Sequence, residues 1–158
     1  MKKVIIGSDK SGFTLKNAIV DYLKENGYEV DDVGTTDLEH VKPYFETAPL
    51  VAEPISKGEY EKGILICGTG MGMAIVANKY EGVYAACCES VYAAEKCRAI
   101  NDANILTMGG WIIAPELGIA MVEKFLNTGF TENLEPWRQD FLKGAKKQVQ
   151  EIEQKIYQ

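Results

Sequence analysis

The chain has 158 residues, of which 46% are hydrophobic and 25% are charged, and its formal net charge is −6. This composition is typical of a soluble globular protein with a sizeable core, and we expect residues 1–158 to form one domain. The acidic balance and the lack of a basic block exclude a general nucleic-acid or membrane-surface binder. No run of about eighteen apolar residues occurs, so we expect no membrane span and a cytoplasmic location.

Short apolar runs alternate with longer amphipathic segments along the chain. The apolar runs predict strands at residues 3–8, 28–33, 63–67, 83–87 and 104–108. The amphipathic segments predict helices at residues 11–26, 47–57, 71–80, 89–100, 114–126 and 134–157. This alternation indicates parallel βαβ units, and therefore an α/β fold with three layers and an extra helix at the C-terminus.

The first predicted strand is followed by Asp9 and Lys10. In one interpretation this is a solvated turn in which Asp9 caps the next helix. In the other, Asp9 grips sugar hydroxyls and Lys10 binds an anion. The residues alone leave both interpretations open.

The third predicted strand ends in a cysteine and runs directly into a glycine-rich loop, Cys67, Gly68, Thr69, Gly70, Met71 and Gly72. Loops between a strand end and a helix start bind ligands in parallel sheets, and their free N–H groups suit an anion or a developing oxyanion. A thiol at this position is a candidate base or nucleophile. The alternative is a buried structural cysteine before a tight turn. The spacing fits neither the dinucleotide fingerprint nor a P-loop.

The other three cysteines are expected to be reduced and mostly buried. Cys87, Cys88 and Cys97 match no zinc-site spacing, and the only histidine is His40, which we interpret as a surface residue. We therefore expect no metal and no disulfide framework.

Asn101 lies between the fourth helix and the fifth strand. It either forms a turn or places its amide near hydroxyl groups at the crevice or at a neighbouring subunit. We expect Trp111 and Trp137 to pack within the protein rather than to stack on ligands.

The last predicted helix carries an apolar stripe after the sheet is complete. Its members are Trp137, Phe141, Val149, Ile152 and Ile156. They need a surface to cover, either on the flank of their own domain or on a second subunit. We interpret residues 131–158 as a helix that packs on a partner subunit.

Three segments resemble the family of ribose-5-phosphate isomerase B and galactose-6-phosphate isomerase. They are GSDKSGFTLK at 7–16, ICGTGMGMAIVANK at 66–79 and NDANILTMG at 101–109, and the resemblance covers residues 1–127. It implies a Rossmann-like sandwich with a five-stranded parallel sheet, and homodimers or homotetramers with sites shared between subunits. It also implies metal-independent aldose–ketose isomerisation of a sugar phosphate, without a cofactor.

The resemblance assigns roles to matching residues. Cys67 corresponds to the base that moves a proton between adjacent carbons, and the amides of residues 68–72 correspond to the group that holds the enediolate. Thr69 corresponds to a residue that moves a proton between substrate oxygens. Asp9 corresponds to a residue that binds hydroxyls and aids ring opening, and Asn101 to one that binds hydroxyls.

The chain also departs from the family pattern. Lys10 and Ile100 stand where the family commonly has histidines, Lys42 replaces a tyrosine, and a usual arginine pair is reduced to Arg138. In ribose-5-phosphate isomerases the histidine at the position of Ile100 is associated with opening the furanose ring. The departure suggests a substrate that is already open-chain, or ring opening by another group. Lys10, Lys42 and Arg138 are the candidate site for phosphate or another anion.

The sequence thus predicts an aldose–ketose isomerase of a small phosphorylated sugar other than ribose 5-phosphate. The alternative is a non-catalytic sugar-phosphate-binding or partner subunit on the same scaffold. A cysteine nucleophile that forms covalent intermediates is disfavoured, because His40 is the only histidine that could assist it.

Overall fold

A computed structural model, which describes residues 2–158, contains a five-stranded parallel sheet with helices on both faces. The strands are Lys2–Ser8 (β1), Tyr28–Gly34 (β2), Gly63–Cys67 (β3), Ala85–Cys87 (β4) and Ile105–Gly109 (β5). The helices are Phe13–Glu25 (α1), Tyr44–Ser56 (α2), Met71–Ala77 (α3), Val91–Asn101 (α4), Pro115–Asn127 (α5) and Pro136–Ile156 (α6). The predicted α/β architecture is confirmed.

The sheet separates two apolar layers. Helices α1, α4 and α5 cover one face, and α2 and α3 cover the other. Strands β3 and β5 are buried along their whole length, which explains their unbroken apolar sequences. Ile64 and Ile66 point to the first layer, whereas Leu65 between them points to the second.

The strand order is β2-β1-β3-β5-β4. The chain therefore moves outward from β1 to β2 and then returns to place β3 on the other side of β1. This reversal creates a crevice at the carboxyl ends of β1 and β3, where ligands bind in open α/β sheets. Ser8 pairs with Ile66, so the residues that follow them, Asp9 and Cys67, lie side by side at that crevice.

Most predicted boundaries differ from the structure by one to three residues, as at α3, which ends at Ala77 rather than at residue 80. Helix α2 begins at Tyr44 rather than at residue 47, and it accommodates both Pro49 and Pro54, although proline removes a helical hydrogen bond. Strand β4 begins only at Ala85, because Val83 closes a turn with the carbonyl of Tyr80 and the Tyr84 N–H donates to the Asn104 side chain at 2.8 Å. The side chain of Asn78 bonds both the N–H and the C=O of Ala85, at 2.7 and 2.9 Å, and so occupies the place of a neighbouring strand.

Helix α6 lies along the amino-terminal edge of the sheet. Its Glu153 carboxylate accepts hydrogen bonds from the Gly82 N–H and the Tyr84 hydroxyl, both at 2.6 Å. Its Lys146 pairs with Asp102. Only Leu142 of this helix is buried, and the five apolar residues predicted to seek a surface remain exposed. Within residues 2–158, no helix has the length and apolar character that a membrane span requires.

Candidate active site

Cys67 is buried at the carboxyl end of β3, with 5% of its surface exposed. The N–H of Gly70 donates a hydrogen bond to its sulfur at 3.2 Å. A backbone N–H aimed at the sulfur fixes its position and can donate to negative charge that develops there during a reaction. The loop therefore curls back onto the cysteine that precedes it, and this arrangement suits a base.

Gly70 makes this curl possible. Its φ is +79°, in the left-handed region that favours glycine. A side chain would also collide there, because a Cβ atom would lie 2.8 Å from the backbone of Met108 and 3.0 Å from the sulfur of Cys87. At Gly70 the structure therefore shows the tight turn that the sequence offered as one interpretation of these glycines, and their close approach to a ligand stays a prediction.

Two side chains from neighbouring strands hold the loop. The Thr107 hydroxyl of β5 donates to the carbonyl of Gly70 at 2.8 Å. The Cys87 thiol of β4 donates to the carbonyl of Thr69 at 3.6 Å. Neither residue was identified as a site residue from the sequence.

Two aromatic rings flank the loop. The indole of Trp111 lies against Gly68, and the phenol ring of Tyr44 lies against Gly72, so that a Cβ on either glycine would approach within 2.8 or 2.9 Å of a ring atom. Trp111 and Trp137 are both exposed, by 74% and 67%. Trp111 packs on the glycine loop, as expected, although most of its surface is exposed, whereas the exposed Trp137 does not pack within this chain.

The structure shows one of the two roles that the sequence left open for Asp9, the one at the start of the helix. Its carboxylate accepts a hydrogen bond from the Gly12 N–H at 3.0 Å, just before α1 begins. It also lies next to Cys67 at the crevice. Burial raises the pKa of Asp9, and the N–H groups of Gly12 and Ser11 offset part of that rise.

Lys10 and Lys42 lie at the same edge of the sheet as Cys67. Both are exposed, and neither forms an ion pair within residues 2–158. The backbone of Lys42 is fixed, because its N–H donates to the Thr35 hydroxyl at 2.9 Å. The two ammonium groups are therefore available to an anion.

Asn101 and Arg138 lie at the opposite edge. Helix α4 runs antiparallel to the strands, so Asn101, its last residue, lies at the amino-terminal edge of the sheet. Arg138 lies in the first turn of α6 and is exposed. One chain therefore does not bring Asn101 or Arg138 to Cys67.

The remaining expectations concern cysteines and histidine. All four cysteines are free, but Cys87 is exposed while Cys88 and Cys97 are buried. The expected burial of Cys87 is wrong because β4 is an edge strand of the sheet. His40 is a surface residue, as predicted, with its Nδ1 2.9 Å from the carboxylate of Asp37.

The geometry described above agrees with comparisons to known proteins. A family model described as Ribose/Galactose Isomerase matches residues 4–140. The chain belongs to this family. The resemblance seen in the sequence is confirmed, and the protein is an aldose–ketose isomerase of the sugar-phosphate type.

Individual relatives agree with this assignment. The isomerase is 71% identical to the 4-deoxy-4-sulfo-D-erythrose isomerase of Clostridium sp. (strain MSTE9) over 155 residues, covering 98% of each chain. It is 42% identical to the ribose-5-P isomerase B of Listeria innocua, covering 82% of this chain and 86% of that one. The solved ribose-5-phosphate isomerase B of Clostridium thermocellum superposes with a TM-score of 0.87 at 38% identity, covering 98% and 99% of the two chains.

Four residues at the site escaped the sequence reasoning. Thr107 carried a usable signal, because it is the one hydroxyl inside the buried strand β5, and buried hydroxyls need partners. Cys87 resembled an ordinary small hydrophobe. Tyr44 and Trp111 had no local signal, since their contact with the loop depends on how distant elements approach each other.

Proposed function

We propose that Cys67 is the base of the isomerisation. The observation that carries this proposal is the Gly70 N–H bonded to the Cys67 sulfur inside a buried strand end. A thiolate there would take the proton from the carbon next to the substrate carbonyl. The resulting thiol would return the proton to the former carbonyl carbon and complete the conversion of aldose to ketose.

The intermediate of this reaction is an enediolate, whose negative charge needs fixed donors. We assign that role to the backbone N–H groups of residues 68–72 that remain once the Gly70 N–H donates to the Cys67 sulfur and the Met71 N–H to the Thr69 hydroxyl. The Thr69 hydroxyl, half-buried beside Cys67, would move a proton between the two substrate oxygens. Asp9 would bind a hydroxyl group of the sugar.

We infer that the substrate is an open-chain aldose of four carbons with an anionic group on C4. Such a compound lacks a free C4 hydroxyl and cannot close a furanose ring. The presence of Ile100 in place of the family's ring-opening histidine fits this property, and so does the relative named a 4-deoxy-4-sulfo-D-erythrose isomerase.

The charges at the candidate anion site also suit a sulfonate. A sulfonate carries one negative charge, whereas a phosphate monoester carries about 1.5 to 2 at neutral pH. Lys10 and Lys42 offer flexible point charges, and Arg138 alone offers the planar fork that binds two oxygens of a phosphate at once. We therefore propose that the 4-sulfo sugar is a better substrate than the corresponding 4-phosphate.

We propose that the working site contains residues from two copies of the chain, within a homodimer or homotetramer. Asn101 and Arg138 lie at the edge opposite Cys67, so they can contact the same substrate only if they come from a partner. The exposed apolar residues of α6, which also carries Arg138, offer the surface that such a partner would cover. This is the role predicted for residues 131–158.

A substrate panel tests this proposal. The purified protein is given 4-deoxy-4-sulfo-D-erythrose, D-erythrose 4-phosphate and ribose 5-phosphate in D₂O. We expect kcat/KM to be highest for the sulfo sugar and at least about 100-fold lower for ribose 5-phosphate. NMR of the ketose product should show solvent deuterium at C1. Equal turnover of ribose 5-phosphate would contradict the proposed substrate, and a product without deuterium would count against exchange at a thiol base.

A further inference from the structure

The peptide between Thr69 and Gly70 links two thiols. The Cys87 S–H donates to its carbonyl at 3.6 Å, and its N–H donates to the sulfur of Cys67 at 3.2 Å. No cis peptide occurs within residues 2–158, and in a trans peptide the C=O and N–H point in opposite directions. A donor on the carbonyl side therefore fixes the direction in which the N–H points. Here that direction is toward Cys67.

The next peptide, between Gly70 and Met71, is held in the same way. The Thr107 hydroxyl donates to its carbonyl at 2.8 Å, and its N–H lies 3.3 Å from the Thr69 hydroxyl oxygen. Thr107 is fully buried, so bulk water does not compete for the hydrogen bond that its hydroxyl donates. Cys87 and Thr107, which support the two peptides, lie next to each other, because they are partners in the β4–β5 register.

We propose that Cys87 and Thr107 are positioning residues of this isomerase. Each donates to a loop carbonyl, and each thereby aims and polarises the N–H of the same peptide, toward Cys67 in one case and toward Thr69 in the other. Hydrogen bonds in a chain polarise one another, and the effect is largest where water is excluded, as at the buried Thr107. The inference rests on the proposed role of Cys67 as base and extends it to β4 and β5, the two strands whose side chains hold the loop.

The donor state of Cys87 is consistent with this role. Although part of Cys87 is exposed, the partial burial of its thiol raises the pKa by more than the neighbouring Thr107 hydroxyl lowers it, so the thiol keeps its proton at neutral pH. A protonated thiol can donate, although weakly, whereas a thiolate beside a carbonyl oxygen would repel it. As a positioning residue, Cys87 only has to keep the proton on its sulfur and donate it in a hydrogen bond.

The test compares substitutions that keep the donor with those that remove it. Cys87→Ser keeps a donor, whereas Cys87→Val fills the space without one. We expect the serine variant to retain activity and the valine variant to lose about 5-fold in kcat, with little change in KM, which is the size of one neutral hydrogen bond. The acid limb of the kcat/KM–pH profile should move to higher pH in the valine variant only. A packing role predicts the reverse ranking, because valine replaces an apolar contact better than serine does.

Thr107→Ser and Thr107→Val form the matched pair on β5. The serine variant should again resemble the native protein, and the valine variant should lose kcat. Alkylation of Cys67 by iodoacetamide, followed by peptide mass spectrometry, gives a readout independent of turnover. It should be slower in Cys87→Val than in Cys87→Ser at the same pH.

Thermal unfolding accompanies each variant, and Cys87→Ala replaces Cys87→Val if the latter does not fold. Valine variants as active as serine variants, with unchanged alkylation rates, would overturn the inference while leaving Cys67 as base. Full activity in Cys67→Ala would instead overturn the proposed function itself.

Discussion

The two edges of the sheet are built from different interactions. At the carboxyl edge, the Cys67 loop is held by a backbone N–H group, the Thr107 hydroxyl and the Cys87 thiol, and Lys10 and Lys42 are unpaired within residues 2–158. At the amino-terminal edge, charged side chains satisfy one another. The buried guanidinium of Arg98 donates to the Asp102 carboxylate at 2.8 Å and to the carbonyl of Ala103 at 2.6 Å, and Lys146 of α6 binds the same carboxylate.

This difference indicates that the two edges have different functions. The carboxyl edge leaves donors free for a reacting substrate, whereas the amino-terminal edge uses its charges to seat α6. The ion pairs at that edge fix the position of α6. Arg138 and the apolar residues of this helix are exposed, and Asn101 lies at the same edge. The proposed function assigns the reacting half of a site to one edge of each chain and substrate-binding residues to the other. Five predictions test the contrast.

The largest effect is expected from Cys67→Ala at the carboxyl edge. Removing the base should lower kcat by about 10³-fold or more, since general-base catalysis contributes factors of this order. Its melting temperature should change little compared with that loss, because only one sulfur atom is removed. Steady-state kinetics and thermal unfolding measure the two quantities.

Cys97→Ala is the matched control for that variant. Cys97 is also buried, but in α4 and away from the loop. It should keep its activity while losing a comparable amount of stability. Equal loss of activity in both variants would show that the effect at Cys67 is structural.

Arg138→Ala tests the contribution of the opposite edge. Loss of a charged hydrogen bond to the anion should raise KM by about 10- to 100-fold. The same change at Lys147, an exposed cation further along α6, should leave KM unchanged.

Hybrids then decide whether the site is shared. Dimers that combine a Cys67→Ala chain with an Arg138→Ala chain can be purified through two different affinity tags. One of their two sites would contain both native residues, so about half of the native kcat/KM should return, measured at substrate concentrations well below the KM of the Arg138→Ala protein. No recovery in a stable hybrid would mean that each chain supplies its own complete site.

Asp102→Ala should affect stability first. It leaves the buried Arg98 guanidinium without its carboxylate and frees Lys146 of α6, so we expect a loss of about 2 to 3 kcal/mol in the free energy of unfolding. Urea unfolding measures this loss. Asp140→Ala, an exposed acid of α6, is the control and should change the free energy by less than about 0.5 kcal/mol.

Asp9→Asn should have the smallest effect on the free energy of unfolding. Unlike most substitutions, it should not lower that free energy near pH 7. The raised pKa means that the ionised carboxylate is disfavoured by folding at neutral pH, and that this cost disappears as the pH falls through the pKa of the folded state. The asparagine variant keeps an acceptor for Gly12 and avoids the cost. It should therefore be at least as stable as the native protein near pH 7, with the gap closing toward about pH 4.

Chemical unfolding at the two pH values measures that gap. Asp21→Asn on the exposed side of α1 serves as a control and should show no such trend. A native protein more stable than Asp9→Asn near pH 7 would contradict the prediction. Activity of Asp9→Asn should fall independently of this stability gain.

The contrast between the edges also explains which parts of the fold and of the site could be predicted from the sequence. The strand ends and the loop at Cys67 were predictable, because a buried parallel strand and its glycine turn are encoded within a few residues. The support from Cys87 and Thr107 was not, since it depends on the register of two strands that come later in the chain. The path of α6 was equally hidden, because it is fixed by single pairs such as Lys146 with Asp102, which are 44 residues apart.

The strand order carries a consequence for how the protein forms. Strand β4 precedes β5 along the chain but pairs only with it, so the edge strand has no place in the sheet until β5 docks against β3. The same docking brings Thr107 beneath the loop and Met108 against Gly70. A chain still emerging from the ribosome therefore completes its catalytic loop and its sheet in one late step, dominated by contacts of high sequence separation. We expect the amides of β4 and of the loop to gain protection from hydrogen exchange together during refolding.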